Sequence, residues 1–355
     1  VLFIITAISV IVSLICLIFQ KPLLRLIFGS VEAEVMRASE IYFFYTALSF
    51  PFIAAYDSAA SIFRAQDNTK GPMLISMVSN VMNIVGNAIM IWGFHMGVTG
   101  AALSTLVSRI FCAVVVLIQL RRDRQPIVVR DYLKIRPNWG MIRRILGIGI
   151  PSGVENSMFQ LGKLAIQSTV STLGTAAIAA QAMTNILENL NGIAAIGVGI
   201  GLMTIVGQCM GAGRKDEAIY YIKKLCMIAE VTIIVSCLTV FALTKPVTIL
   251  GGMEKGSADM CFHMVMWITI VKPLVWTMAF IPAYGLRAAG DVKFSMITSC
   301  ITMWACRFCL CVFLIRVMGF GPMGVWIGMF ADWTIRGIIF AWRFHSRRWL
   351  EHQVI

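Results

Sequence analysis

Charge is what this sequence has least of. Only 13% of its 355 residues are Asp, Glu, Lys or Arg, and 17 in all are acidic. A soluble domain carries about 25% charged residues, so the chain lacks the polar surface that would hold it in water. Hydrophobic residues make up 59%, and the mean hydropathy is +0.83. That balance excludes a soluble globular enzyme and a disordered interaction protein alike. Histidine is scarce, at four residues, and no metal-ligand cluster or nucleophile–base set marks an enzyme. The ten cysteines fall mostly singly in apolar stretches, and the closer trio Cys306, Cys309 and Cys311 lies mid-helix in TMWACRFCLCVF. They read as small packing residues rather than a disulfide framework or metal site. Nucleic acid is excluded as a partner, because the formal charge of +13 is not gathered into a basic face interleaved with aromatics.

What is present is a succession of apolar runs near the roughly 20 residues that cross a bilayer. Ten candidate spans fall near residues 1–19, 41–63, 73–96, 99–120, 145–170, 176–206, 224–243, 260–286, 294–315 and 321–342. The expected fold is therefore an all-α polytopic membrane protein surrounded by membrane lipid. The chain opens inside VLFIITAISVIVSLICLIF, which has no basic leader region or cleavage site and reads as a span. A start without Met gives the expectation of an N-terminally truncated chain.

Positive residues collect on the cytoplasmic ends of membrane helices. Nineteen Lys and Arg fall on the side that holds the connector 121–144 and the C-terminus, six on the other side. The C-terminus is thus expected in the cytoplasm, with the protein multi-pass in the plasma membrane. The polar connector divides the chain into 1–120, 121–144 and 145–355.

The two halves also repeat. Lys21-Pro22 recurs as Lys245-Pro246, Pro51 as Pro273, Arg64-Ala65 as Arg287-Ala288, and Gly97 and Gly100 as Gly321 and Gly324. The offset stays near 224 throughout. An even number of spans separates each segment from its copy, so the copies point the same way, related by an axis along the membrane normal. Residues 137–224 have no earlier partner, which implies two further helices in front and six plus six spans in an intact molecule.

The run YFFYTALSFPFIAAYDSAASIFRAQDNTKGPM, followed by NVMNIVGNAIMIWGFHMGVTGAALSTLVSR, resembles the first half of a MATE (multidrug and toxic compound extrusion) transporter. The second half agrees through GIGIPSGVENSMFQ, LGTAAIAAQAM, VGQCMGAGRKDEA, GLRAAGD and GFGPMGVWIGMFADWTIRG. The resemblance covers essentially the whole chain. It implies a monomeric two-lobe bundle around a central cavity, with 1–120 as a first lobe lacking two helices and 145–355 as the second. The implied activity is secondary antiport, exporting cationic or amphipathic drugs in exchange for H⁺ or Na⁺ and needing no other cofactor. The alternative within the same superfamily is a lipid-linked oligosaccharide flippase, whose cavity would be more cationic.

An antiporter needs a group in low dielectric whose charge depends on whether ion or substrate is bound, and a buried carboxylate serves. The acids within spans are Asp57, Glu155, Glu188, Glu230 and Asp332. Where the family shows Asn-x-x-x-Asp, this chain has Asn83-Ile-Val-Gly-Asn87. Asn87 can coordinate or hydrogen-bond but cannot titrate. With Thr105 of GAALST these residues form the first-lobe cation site that the resemblance implies, without its acid. In the second lobe, Glu155 follows Gly149 and Pro151 and is the favoured coupling residue, set against an ion pair with Lys163 or another cation. Glu188, in AMTNILENLNG, is expected to contact substrate.

An aromatic and thioether wall of Met158, Phe159, Met183, Trp267, Trp276, Phe280 and Tyr284 would suit varied ligands. Asp332 and Arg336 are expected to neutralise each other one turn apart. Arg109 and Arg307 are expected to snorkel or pair across helices. Lys163 and Lys272, if they line the cavity, would repel organic cations and mark a broader or anionic substrate range. The glycines of GIAAIGVGIGLMTIVG are read as close helix packing or a hinge.

Overall fold

A computed structural model describes residues 2–28, 33–66, 68–121 and 138–351. It is helical throughout, in two compact units, Val1–Ile145 and Leu146–Ile355. Most of the connector 121–144 lies outside the described residues.

The first unit runs α1 (Leu2–Ile18), α2 (Gln20–Phe28), α3 (Ala33–Leu48), α4 (Phe50–Ala65), α5 (Lys70–Ala88) and α6 (Gly97–Leu120). Helix α5 ends in a π-turn, Ile89–Gly93. Helices α4, α5 and α6 close around Ala59, Phe63, Ile75, Cys112, Val116 and Leu120. The second unit holds α7 (Trp139–Val170), α8 (Thr175–Gly211), α9 (Lys215–Leu250), α10 (Lys255–Ala288), α11 (Val292–Ile301), α12 (Leu310–Arg316) and α13 (Met323–His345). A π-helical stretch, Thr302–Cys309, joins α11 to α12. The core of this unit is built where α8, α9 and α10 pack on one another, and α13, which packs on α10 and the π-helical stretch, adds Trp326, Trp333 and Phe340 to it.

Seven of the ten expected spans are helices long and apolar enough to cross a membrane. The other three regions are helical but fall short for separate reasons. Helix α1 has 17 residues. The 41–63 region is divided between α3 and α4 at Ser49, with Pro51 in the first turn of α4, where its missing N–H costs nothing. Helix α7 carries Arg143, Arg144, Glu155 and Lys163 along its length.

Leu74, Met77, Val78, Val81, Ile84 and Val85 lie exposed along α5, and Leu238, Ile249 and Leu274 stand out from the second unit. Continuous apolar surface of this extent has hydrocarbon as its natural solvent. The helices pack side by side because small residues let their backbones approach.

The repeat has a structural counterpart. Gly97 and Gly321 both take positive φ, at 53° and 60°, a conformation that glycine adopts without steric cost. A Cβ on Gly100 would lie 2.8 Å from Met90 Cβ, and one on Gly324 would lie 3.2 Å from Leu314 Cβ. Ser104 Oγ donates to Asn83 O, while a Cβ on Gly328 would meet Arg307 O at 2.9 Å. Each close approach in the first unit returns 224 positions on, so the α5–α6 packing is rebuilt by α11, the π-helical stretch and α12 against α13.

The glycine-rich stretch of α8 divides by position. A Cβ on Gly199 would come within 2.6 Å of the Tyr284 ring, whereas one on Gly201 meets nothing within 4 Å. Gly199→Ala should therefore destabilise the protein by about 1–3 kcal/mol. Gly201→Ala should be neutral or stabilising by up to about 1 kcal/mol. Thermal unfolding of the two variants in detergent checks the contrast, and equal effects would overturn it.

Candidate transport site

Within the first unit, α5 and α6 bring together Asn83, Asn87 and Thr105. Asn83 Nδ2 donates to Thr105 Oγ1 at 3.2 Å, and Asn87 Nδ2 donates to Asn83 Oδ1 at 3.2 Å. One helical turn separates the two amides, which stacks them on a single face. Asn87 Oδ1 is buried and has no hydrogen-bond partner, so the cluster presents a free amide oxygen but no carboxylate. Arg109, on the same helix as Thr105, donates to Ser49 Oγ at the α3–α4 break, 2.5 Å away. It pairs across helices instead of snorkelling.

In the second unit Glu155, Glu188 and Asp332 are each held by a cation. Glu155 is 6% exposed. Its Oε1 accepts from Arg287 Nη2 at 2.6 Å, while its Oε2 is buried without a partner. Arg287 is also steadied by Ser295 through its Nε at 3.1 Å. Glu155 is thus buried and ion-paired, with Arg287 of α10 rather than with Lys163. Glu188 is bound by Lys272, whose Nζ donates to Oε1 at 2.7 Å and to the Glu188 carbonyl at 3.0 Å. Lys272 is wholly buried and lies 5.3 Å from the centre of the Trp276 ring. Arg336 and Asp332 pair at 3.0 Å within α13, as their spacing predicts.

A cavity of about 490 Å³ opens between α7, α8, the π-helical stretch and α13, its polar wall made by Gln160, Lys163, Gln181, Asn185, Glu188 and Arg307. The amides are linked: Trp326 Nε1 donates to Gln181 Oε1 at 3.1 Å, and Gln181 Nε2 to Asn185 Oδ1 at 3.5 Å. Phe159 lies beneath two of the cations, with Lys163 Nζ and the Arg307 guanidinium each 5.2 Å from its ring centre. Arg307 is 6% exposed and makes no hydrogen bond or ion pair among the described residues. An arginine inside a span costs roughly 2.5–3.5 kcal/mol at mid-bilayer, so its retention calls for a compensating role.

Of the residues expected to touch substrate, Glu188 lines this cavity and Phe159 supports it. Trp276 is buried, stacked on Phe280 at 4.8 Å. Tyr284 packs on Gly199, and Met158 is half-buried on α7; neither lines the cavity. Three participants escaped the sequence. Sequence alone places Arg287 among the nineteen positive residues of the cytoplasmic side, because it lies near the end of an apolar run. Gln160 and Gln181 carry no charge signal at all, although their place beside Lys163 and Asn185 on apolar helices was visible.

Membrane-length helices enclosing a charged, amide-lined cavity define a multi-pass membrane transporter. The MatE family model matches residues 1–89 and 151–313, and the chain belongs to that family, the family of MATE multidrug efflux transporters. It is 25% identical over 339 residues to a probable multidrug resistance protein NorM of Thermotoga maritima, covering 93% of this chain and 71% of that protein. It is 23% identical over 287 residues to the multidrug export protein MepA of Staphylococcus aureus, covering 80% of this chain and 62% of the relative. Among solved structures it is similar in fold to an outward-facing multidrug resistance MATE transporter, with TM-score 0.88 and 17% identity over 99% of this chain and 78% of the other. A mutant of the Vibrio cholerae MATE transporter VcmN gives TM-score 0.86 at 19% identity, over 99% and 79% of the two chains.

The Lys272–Glu188 pair yields a double-mutant test. Glu188→Gln alone strands a buried ammonium and should cost about 3–5 kcal/mol. Adding Lys272→Met removes the stranded charge and should recover much of that loss. Unfolding midpoints of the two single variants and the double variant measure the coupling; additive effects would show that the pair is not coupled.

Proposed function

We propose that the protein is a secondary antiporter of the plasma membrane that exports cationic or amphipathic organic compounds in exchange for H⁺ or Na⁺. Its C-terminus faces the cytoplasm and it acts as a monomer. The observation that carries this reading is the Glu155 carboxylate, with one oxygen on Arg287 and the other buried and unpartnered. A carboxylate in that state holds a vacant proton-accepting atom in a low-dielectric setting, where one charge strongly alters the local energy. Protonation at Oε2 neutralises the carboxylate and weakens its hold on Arg287. Loss of the proton restores the pair, so ion occupancy biases how α7 and α10 engage.

The amide and hydroxyl cluster of Asn83, Asn87 and Thr105 is a second cation-coupling position in this reading. Its oxygens suit Na⁺ better than a proton, because none of them titrates. Glu188 contributes to substrate binding from the second-unit cavity. Names of relatives such as NorM and MepA, which refer to multidrug resistance and export, favour organic compounds as cargo.

The test is accumulation of a cationic dye in cells that express the protein and lack their own efflux pumps. Expression should lower accumulation, and dissipating the proton or sodium gradient should abolish the difference. Efflux that persists after both gradients have collapsed would overturn ion coupling. Glu155→Gln should reduce gradient-driven efflux at least tenfold while the protein still reaches the membrane, and undiminished efflux would remove Glu155 from the mechanism.

A further inference from the structure

The first-unit cluster and the second-unit cavity occupy repeated positions with opposite chemistry. Moving 224 residues along the chain takes Asn83 to Arg307, Asn87 to Cys311 and Thr105 to Met329. Ser104, whose hydroxyl donates to the Asn83 carbonyl, and Gly328, which lies against the Arg307 carbonyl, are also equivalent positions. Where one unit offers neutral oxygens to a cation, the other places a guanidinium. Arg307 sits on the π-helical stretch Thr302–Cys309, and such stretches frequently occur at functional sites.

The charges around the cavity do not balance. Glu188 is satisfied by Lys272 and Asp332 by Arg336. Lys163 and Arg307 are left over, both beside Phe159 and both lining the cavity. Arg307 Nε is buried with no partner, and the surrounding Gln and Asn side chains supply further donors. A guanidinium is a planar fork of N–H donors that matches a carboxylate in two-point contact.

We propose that this cavity binds the carboxylate of a small organic anion or zwitterion, with Arg307 as the anchoring residue and Lys163 as the second cation. The proposal deepens the transport reading by narrowing its amphipathic cargo to compounds that carry a carboxylate, and it rests on that reading only for the fate of the bound molecule. The cavity amides hold the polar body of the guest, beside Glu188 whose Oε1 is already engaged by Lys272.

Binding is measured by fluorescence anisotropy on the whole chain in lipid nanodiscs, with no ion gradient. The probes are carboxyfluorescein and rhodamine 6G, two xanthene dyes of opposite charge. Carboxyfluorescein should bind saturably, and Arg307→Gln should weaken it at least tenfold while leaving rhodamine 6G unaffected or tighter. Arg307→Lys should recover part of the loss, because a point charge replaces the fork. Lys163→Gln, at an exposed position that folding does not need, should weaken carboxyfluorescein several-fold and tests the same idea if Arg307→Gln fails to fold. Unchanged carboxyfluorescein affinity in both neutralising variants, or binding of rhodamine 6G alone by the unaltered protein, would overturn the proposal. Carboxylate binding that survives while gradient-driven efflux is absent would sink the antiport reading and leave this one standing.

Discussion

A charge surrounded by hydrocarbon must find its counter-charge within the protein, and the interior of the second unit is arranged around that need. Water cannot share the cost there, so Glu155 and Glu188 are brought against bases across large sequence distances, and Asp332 against Arg336 one turn away. Glu155 meets Arg287 at 2.6 Å and Glu188 meets Lys272 at 2.7 Å. Asp291 meets Arg343 at 2.7 Å near the ends of α11 and α13. These pairs tie α7, α8 and α10 to one another in a single register. A one-residue slip of any of these helices would leave ions without compensation. Small residues such as Gly199 then allow the helices the close approach that the pairs require.

Against that background, incomplete pairing carries meaning. Glu155 keeps one oxygen without a partner, and Arg307 keeps its Nε without one. Both lie on helices otherwise committed to packing, and both face other charged or polar groups rather than lipid-like surface. Each keeps an atom whose hydrogen-bonding capacity the surrounding protein leaves unused. The first unit has no such excess of charge at its polar cluster. Asn83, Asn87 and Thr105 satisfy one another in a chain of weak hydrogen bonds, leaving one amide oxygen over. At equivalent positions the first copy thus carries the neutral amide of Asn83 and the second the fixed positive charge of Arg307.

The sequence made the helical, membrane-spanning character legible, because apolar runs of span length and a shortage of charge depend only on composition and order. It also made the repeat legible, since Gly97, Gly100, Pro51 and Arg64 keep their spacing to copies in the second half. Local pairs were readable for the same reason: Asp332 and Arg336, or Asn83 and Asn87, are one turn apart on any helix. Composition could not decide whether α3 and α4 form one span or two, because a proline near a helix start and a proline in a kink look alike in one dimension. In the structure α4 begins afresh at Phe50.

Tertiary structure alone decided which charges meet across helices. Arg287 and Glu155 are 132 positions apart, and Lys272 and Glu188 are 84 apart. Helical periodicity fixes the face on which each residue lies, but not which face of another helix lies opposite. It also could not show that Trp276 and Tyr284 are packing residues while Gln160 and Gln181 line a cavity, for apolar and amide side chains occur on both kinds of surface. Hydrophobic burial, set by sequence, drives the helices into the bilayer. The choice of neighbours there depends on shape and charge complementarity between distant segments, which come into contact only in the folded chain.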